Sequence, residues 1–274
     1  MSDRISENDD QWESDHESVD ERYWVKLEDV KTLEVLYKEG ALRVTPGPGA
    51  AGTEGSSTDE GAKDKAGYEP NAEFLKKVSL LCVFIFNSSV HREWPELITG
   101  LDFSQGDITK LQVDAIVNAA NKSLLGGGGV DGAIHAAAGP KLLAECKQLN
   151  GARTGESKIT RGYDLPARHV IHTVGPVYNA SQPEEKAELL KSCYKTSLEV
   201  AVENGLKHVA FPSVSTGIYG YPIVDATHIA IRTTREFLEG PDGDKLDRVI
   251  FVVWSNTDRE TYEQLLPEYF PLAS

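Results

Sequence analysis

The amino-acid sequence predicts a three-layer α/β/α domain built on a largely parallel sheet. Continuous Val/Ile/Phe runs alternate along the chain with amphipathic helical stretches, the pattern of strands buried on both faces and joined by helices. Gly- and Asn-rich motifs fall just after those runs, at the strand ends where open α/β sheets bind ligands. With 274 residues, 40% of them hydrophobic, the chain can bury a core in one domain or at most two.

Residues 1–21 carry nine acids against one Arg and almost no aliphatic side chains, so they bury too little to offset their ordering entropy. They read as a disordered acidic tail. Within 22–44, the apolar spacing Leu27, Val30, Leu33, Leu36 and Tyr37 predicts one or two short helices packed on the main domain. Residues 45–69, with six glycines between Thr45 and Glu69, have the composition of a flexible linker. The compact unit is therefore expected from about Pro70 to the end. Val78 to Phe86 reads as a strand, and the irregular stretch 87–105 after it as a peripheral insertion; a translated intron would read the same way.

The alternation then becomes regular. The elements expected are a strand Val113 to Asn118, helical stretches over Gly129 to Asn150, a strand His169 to Gly175 and a helix Glu184 to Asn204. That helix repeats Ala187, Leu190, Tyr194, Leu198 and Ala201 on one face of a 3.6-residue period. A strand His208 to Val214, a helix Val224 to Leu238, a strand Arg248 to Trp254 and a helix Asp258 to Phe270 complete the chain.

Charge and cysteines narrow the function. The net charge is −15, and residues 1–70, with 18 acidic and 8 basic side chains, hold −10 of it. An acidic chain of this kind is not expected to bind duplex nucleic acid independently of sequence, which requires a basic surface to release counterions. No apolar run reaches membrane-spanning length; Val78 to Phe86 stops at nine residues. Cys82, Cys146 and Cys193 are odd in number and far apart, without a CxxC pair or a His at ligand spacing. Neither a disulfide framework nor a metal site is expected. With no visible leader, the cytosol or nucleus is the expected compartment.

The segment Asn118-Ala119-Ala120-Asn121, followed by Gly126-Gly127-Gly128-Gly129-Val130-Asp131-Gly132 and His135, carries the chemistry. It leaves a strand, passes four glycines and enters a helix. Backbone amides can then approach a ligand with no Cβ in the way, and the helix N-terminus favours an anion such as a diphosphate. Gly127, Gly129 and Gly132 formally fit GxGxxG, but eight residues separate Asn118 from Gly127, and the region where a dinucleotide fold needs its acid is a loop. A dehydrogenase is therefore disfavoured, and no Walker sequence is present. A second loop, Ser215-Thr216-Gly217-Ile218-Tyr219-Gly220, follows another strand.

Together with Gly106-Asp107-Ile108, these motifs resemble the macrodomain family, specifically its MacroD-type branch, over about Gly106 to Phe270. The resemblance implies a mixed, mostly parallel six-stranded sheet that binds ADP-ribose. It places Asp107 on the adenine amino group, the Ile108 amide on the ring, Asn121 on the distal ribose and Tyr219 over it, with both loops around the diphosphate. Trp254 becomes a candidate to stack on the adenine. Each residue also has an ordinary use: Asp107 as a turn Asp, Asn121 in a left-handed turn, Asp131 serving the helix dipole, His135 and Trp254 as packing. Asn118 reads as structural.

The implied reaction is hydrolysis of mono-ADP-ribose esters on acidic protein side chains, or deacetylation of O-acetyl-ADP-ribose, with Asn121, Asp131 and His135 as catalytic candidates and no cofactor or metal. Water held between Asp131 and a phosphate oxygen would attack. Val130-Asp131-Gly132-Ala133 stands where a poly(ADP-ribose) glycohydrolase of this fold carries a Glu pair, so chain trimming is not expected. ADP-ribosylated proteins are the expected partners. A module that reads ADP-ribose without turnover is the alternative.

Overall fold

A computed structural model describes residues 24–42, 68–82 and 106–272. The acidic tail, nearly all of the glycine-rich linker and the stretch 87–105 lie outside the described residues.

In chain order the elements are β1 (Val25–Lys26), α1 (Leu33–Lys38), α2 (Ala72–Lys77), β2 (Val78–Cys82), β3 (Leu111–Gln112), β4 (Ala115–Ala120), α3 (Val130–Ala138) and α4 (Pro140–Gln148). There follow β5 (Ser157–Arg161), β6 (His169–Val174), α5 (Pro183–Glu203), β7 (His208–Pro212), α6 (Ile223–Glu239), β8 (Arg248–Val253) and α7 (Asn256–Tyr269). The main sheet has the order β2-β8-β7-β4-β6-β5, parallel throughout except for antiparallel β5 at one edge.

Strand side chains alternate between two cores, as a period of two requires. From β7 and β8, Val209, Phe211, Val249 and Phe251 pack on the α5, α6 and α7 side, while Ala210, Ile250 and Val252 pack on the α3 and α4 side. Three layers result. Ile134, Leu142 and Cys146 are the apolar contribution of α3 and α4; Leu190, Tyr194 and Leu198 are that of α5.

Three features depart from the sequence-based expectation: where the compact body begins, where β4 ends, and an additional edge strand. Residues 24–42 pack on the main domain as expected, but they share its cores, so the compact body begins before Pro70: Leu33, Tyr37 and Leu42 sit in the α5–α7 core, Val25 and Val30 in the other. Tyr37 Oη donates to Phe270 O at 2.8 Å, and β1 pairs with β3 in a small parallel sheet. The helical stretches expected over Gly129 to Asn150 are α3 and α4, divided where Gly139 takes φ +74° and Pro140 starts the second. Strand β4 runs two residues further than Val113 to Asn118, because the small Ala119 and Ala120 stay in register with Thr173 and Val174. Strand β5 was not expected at all.

The topology fixes where a ligand can enter. From β4 the chain runs to β6 on one side, then crosses over to β7 and on to β8 on the other. β4 keeps six registered pairs with β6 but only two with β7, Ala115 with Val209 and Ile116 with Ala210. Beyond those two pairs the strands part, which opens the crevice expected at such a switch point.

Candidate active site

A cleft of roughly 790 Å³ occupies that crevice. Its floor is Ala119 and Ala120 of β4 with Asn121 just beyond, and Pro212 of β7 with Ser213 just beyond. One wall is Gly127 to Asp131 with Ala133; the facing wall is Ser215 to Tyr219. Gly106, Asp107 and Ile108 close one end, near Val252, Trp254 and Asp258 after β8. The volume falls within the range of small-molecule and cofactor sites.

The first loop is shaped by its glycines. Gly126 and Gly129 have φ of +85° and +63°, a region that favours glycine. Gly129 precedes α3 without a side chain to cap it, so the first-turn N–H groups remain available to an anion. Asn121 organises the loop: Nδ2 donates to Gly126 O at 2.8 Å, while Oδ1 accepts from Ser123 N and Ser123 Oγ. Asn121 is not in the left-handed region, so the turn use considered for it does not apply; its amide ties the loop ends together.

Asp131, in the first turn of α3, is 3% exposed yet lines the cleft. Its Oδ1 accepts from Asn118 Nδ2 at 2.8 Å and lies 3.5 Å from His135 Nε2; Oδ2 is 3.5 Å from Asn121 Nδ2. Loss of solvent pushes its pKa above the ordinary carboxylate value, while the Asn118 hydrogen bond and the nearby His135 pull the other way. Asp131 is therefore a better proton acceptor than a surface Asp.

Of the predicted residues, Gly126 and His135 do not line the cleft. His135 packs beneath Gly126, where an added Cβ would touch its ring at 3.4 Å, and it reaches the site only through Asp131. The other predicted residues all border the cleft. Asp107 also serves locally: Oδ1 accepts from Thr109 N at 2.9 Å and Thr109 Oγ1 at 2.7 Å, capping a single 3-10 turn. Trp254 is 65% exposed at the rim. Across the mouth, Ile218 Cδ1 comes to 3.2 Å from where a Cβ on Gly128 would lie, so the two loops nearly meet. The backbone of Ser215 adopts φ +67°, and its buried hydroxyl has no protein partner among the described residues.

The cleft also takes in Gly175, Ser213 and Asp258, which the sequence motifs do not single out. Gly175 and Ser213 directly follow β6 and β7, which is the signal that could have found them, whereas Asp258 lies in the first turn of α7. Asn118, expected to be structural, is buried outside the cleft, and the group it supports is the Asp131 carboxylate. Behind the cleft, His135, Cys146 and His172 bring ligand-type atoms within 4.8 Å of one another. His172 already uses both ring nitrogens, Nδ1 toward Asn118 at 3.1 Å and Nε2 toward Thr160 at 2.9 Å and Cys146 Sγ at 3.6 Å, so two members of the trio are engaged in hydrogen bonds.

Residues 117–230 match the Macro domain family. A macro domain-containing protein of Chlorobaculum tepidum is 59% identical over 162 residues, covering 59% of this chain and 92% of that protein. This chain belongs to the macro domain family. Within that family it resembles the MacroD type: the ADP-ribose glycohydrolase MACROD2 of Xenopus laevis is 55% identical over 171 residues, 62% of this chain and 41% of that relative. The chain spans between 35% and 65% of the MACROD1 and MACROD2 relatives it matches. A solved Trypanosoma brucei macrodomain in complex with ADP-ribose superimposes with a TM-score of 0.62 at 36% identity, covering 88% of this chain and 76% of that one. The six-stranded macro domain sheet is thus the frame of the cleft. Among the described residues no helix is long and apolar enough to cross a membrane.

Proposed function

We propose that this chain binds ADP-ribose and hydrolyses its esters, removing mono-ADP-ribose from acidic protein side chains and/or deacetylating O-acetyl-ADP-ribose. The observation that carries the proposal is the buried Asp131 carboxylate, fastened by Asn118 and made more basic by desolvation, within a cleft walled by two amide-rich loops. Relatives named ADP-ribose glycohydrolase and a macrodomain solved with ADP-ribose support it.

In this mechanism the Gly127–Gly129 backbone and the N-terminus of α3 bind the diphosphate and fold it over the distal ribose. Asn121 and Asp131 meet the ribose side of the cleft, Asp107 and Ile108 hold the adenine, and Trp254 covers it from the rim. Water beside Asp131 attacks the ester; Asp131, the substrate diphosphate, or both accept its proton. Amides aimed at the developing oxyanion lower the barrier without reorganising. Neither Cys nor His is among the residues lining the cleft, which favours direct water attack over a covalent intermediate. His135 steadies Asp131 from behind. Free, buried Cys146 and Cys193 suit the cytosol and/or nucleus.

Protein mono-ADP-ribosylated on Glu tests the proposal. Wild type releases ADP-ribose, and Asp131→Ala loses about 10² to 10⁴ in rate as general-base help disappears. Wild type that binds ADP-ribose but releases it from neither ester would be a reader module, and hydrolysis would be refuted. Equal turnover by the two proteins would remove Asp131 from the mechanism.

A further inference from the structure

Strands β4 and β6 are buried on both faces, and their side chains toward α3 and α4 are apolar except at one level. There Asn118, between Ile116 and Ala120, stands beside its cross-strand partner His172, between Val170 and Val174. Both are fully buried. A polar pair in such a ladder lowers stability unless each group is satisfied. Asn118 links the two sides of the arrangement, donating toward Asp131 at the cleft and toward His172 within the sheet.

Asn118 Nδ2 has two hydrogens, and its two acceptors are Asp131 Oδ1 at 2.8 Å and His172 Nδ1 at 3.1 Å. Nδ1 must therefore carry a lone pair, which puts the His172 proton on Nε2. Nε2 faces Thr160 Oγ1 at 2.9 Å and Cys146 Sγ at 3.6 Å, and with the proton on Nε2 both can accept it, because Thr160 Oγ1 can donate its own proton to Val170 O at 3.5 Å. Burial holds His172 neutral, with a pKa pushed down to about 3. The opposite tautomer would favour a flipped amide, placing Asn118 Oδ1 against the Asp131 carboxylate. The orientation adopted leaves Oδ1 without a protein partner among the described residues.

Building on the hydrolase proposal, we infer that His172 is a positioning residue: with the proton held on Nε2 toward Thr160 and Cys146, its Nδ1 fixes the Asn118 amide so that the NH₂ group faces Asp131 and aims that carboxylate into the cleft. It touches no substrate, since His172 does not line the cleft. Its effect reaches the reaction through Asn118 alone.

Two near-isosteres separate this role from simple packing. Asn at 172 offers Oδ1 where Nδ1 stands and keeps the acceptor for Asn118. Gln at 172 reaches toward Thr160 instead and supplies no acceptor at the Nδ1 position. His172→Gln and His172→Leu should lower kcat for ester hydrolysis on the order of 10- to 100-fold, the scale on which outer partners of site ligands act, with little change in KM. His172→Asn should recover most of that kcat even though it leaves a larger cavity and a lower melting temperature. Equal kcat for His172→Asn and His172→Gln, or kcat tracking melting temperature across the three, would overturn the inference.

An NMR measurement on unliganded protein applies whether or not the chain is an enzyme. Long-range ¹⁵N spectra of wild type should show His172 neutral with its proton on Nε2, and the Asn118 NH₂ pair protected from exchange; His172→Asn should keep that protection and His172→Gln should lose it. A proton on Nδ1, or protection unchanged in His172→Gln, refutes the positioning role. Absence of turnover by wild type with the NMR pattern intact would refute the hydrolase proposal and leave the orientation of Asp131 by His172 standing.

Discussion

Gly132→Ala tests whether the amide wall depends on a backbone contact hidden behind it. Gly132 lies inside α3 outside the left-handed region, so Ala suits its backbone and should stabilise the helix locally by about 0.5 to 1 kcal/mol. The contact decides otherwise: a Cβ at Gly132 would lie 2.5 Å from the Gly127 carbonyl oxygen. A relaxed carbon–oxygen contact is roughly 3.3 Å, so the loop or the helix must move by about 0.8 Å. Gly127 has little room to retreat, because its own Cα faces Asp131 Oδ2 and Asn121 Nδ2, 3.0 and 3.2 Å from where a Cβ would sit. A shift of that size misaligns one or two charge-assisted hydrogen bonds to a diphosphate, each worth about 1.5 to 3 kcal/mol. Affinity for ADP-ribose should therefore fall by roughly 10- to 1000-fold, read by titration calorimetry beside a thermal melt. Wild-type affinity together with a raised melting temperature would refute the proposed amide cradle.

Other expected outcomes follow from the same geometry. Asp131→Asn should abolish most turnover yet raise stability at neutral pH: a carboxylate whose pKa burial raises is a net cost to the fold when ionised, and an amide removes it. Chemical denaturation of both proteins at pH 7.5 reads the sign, and a less stable Asn variant contradicts it. For His172, lowered from 6.5 to about 3, the unfolded chain binds the extra proton, so its contribution is present above pH 6.5 and is lost as the pH falls toward 3. That loss amounts to at most roughly 5 kcal/mol, and His172→Asn should flatten the decline in urea-derived stability between pH 6.5 and 4. Arg235 is buried, donates to Tyr269 O and Glu69 O, pairs with Glu239 and stacks on Phe74. Arg235→Ala should cost about 3 to 5 kcal/mol by stranding those groups, a fall of roughly 6 to 20 °C in Tm by calorimetry.

The parts of the fold legible in the sequence are those with a strong period. Helices α5, α6 and α7 lie within two residues of the patterned spans, and β6, β7 and β8 were visible as apolar runs because parallel strands bury both faces. Strand β5 was not, since Ser157–Arg161 is a polar edge with only Thr160 fully buried. The break between α3 and α4 was written in Gly139-Pro140, a stop followed by a start. Residues 24–42 looked peripheral because their few apolar side chains are shared between two cores on opposite faces. The cleft was legible through its loops, where glycine marks close approach. The hydrogen bonds behind it were not, because Asn118 and His172 lie 54 positions apart and meet only once β4 and β6 are in register.

Those two kinds of residue divide the work of the site. The loops supply main-chain donors whose direction is set by the backbone, and such donors tolerate sequence change so long as no Cβ intrudes. The carboxylate is different: a desolvated Asp has several rotamers and would turn from an apolar wall toward the nearest donor. Here the nearest donor is itself held within the sheet by a cross-strand histidine. The strand that carries Asn118 is also the one that parts from β7 to open the cleft. The register that creates the opening therefore also carries the amide that holds Asp131 within it.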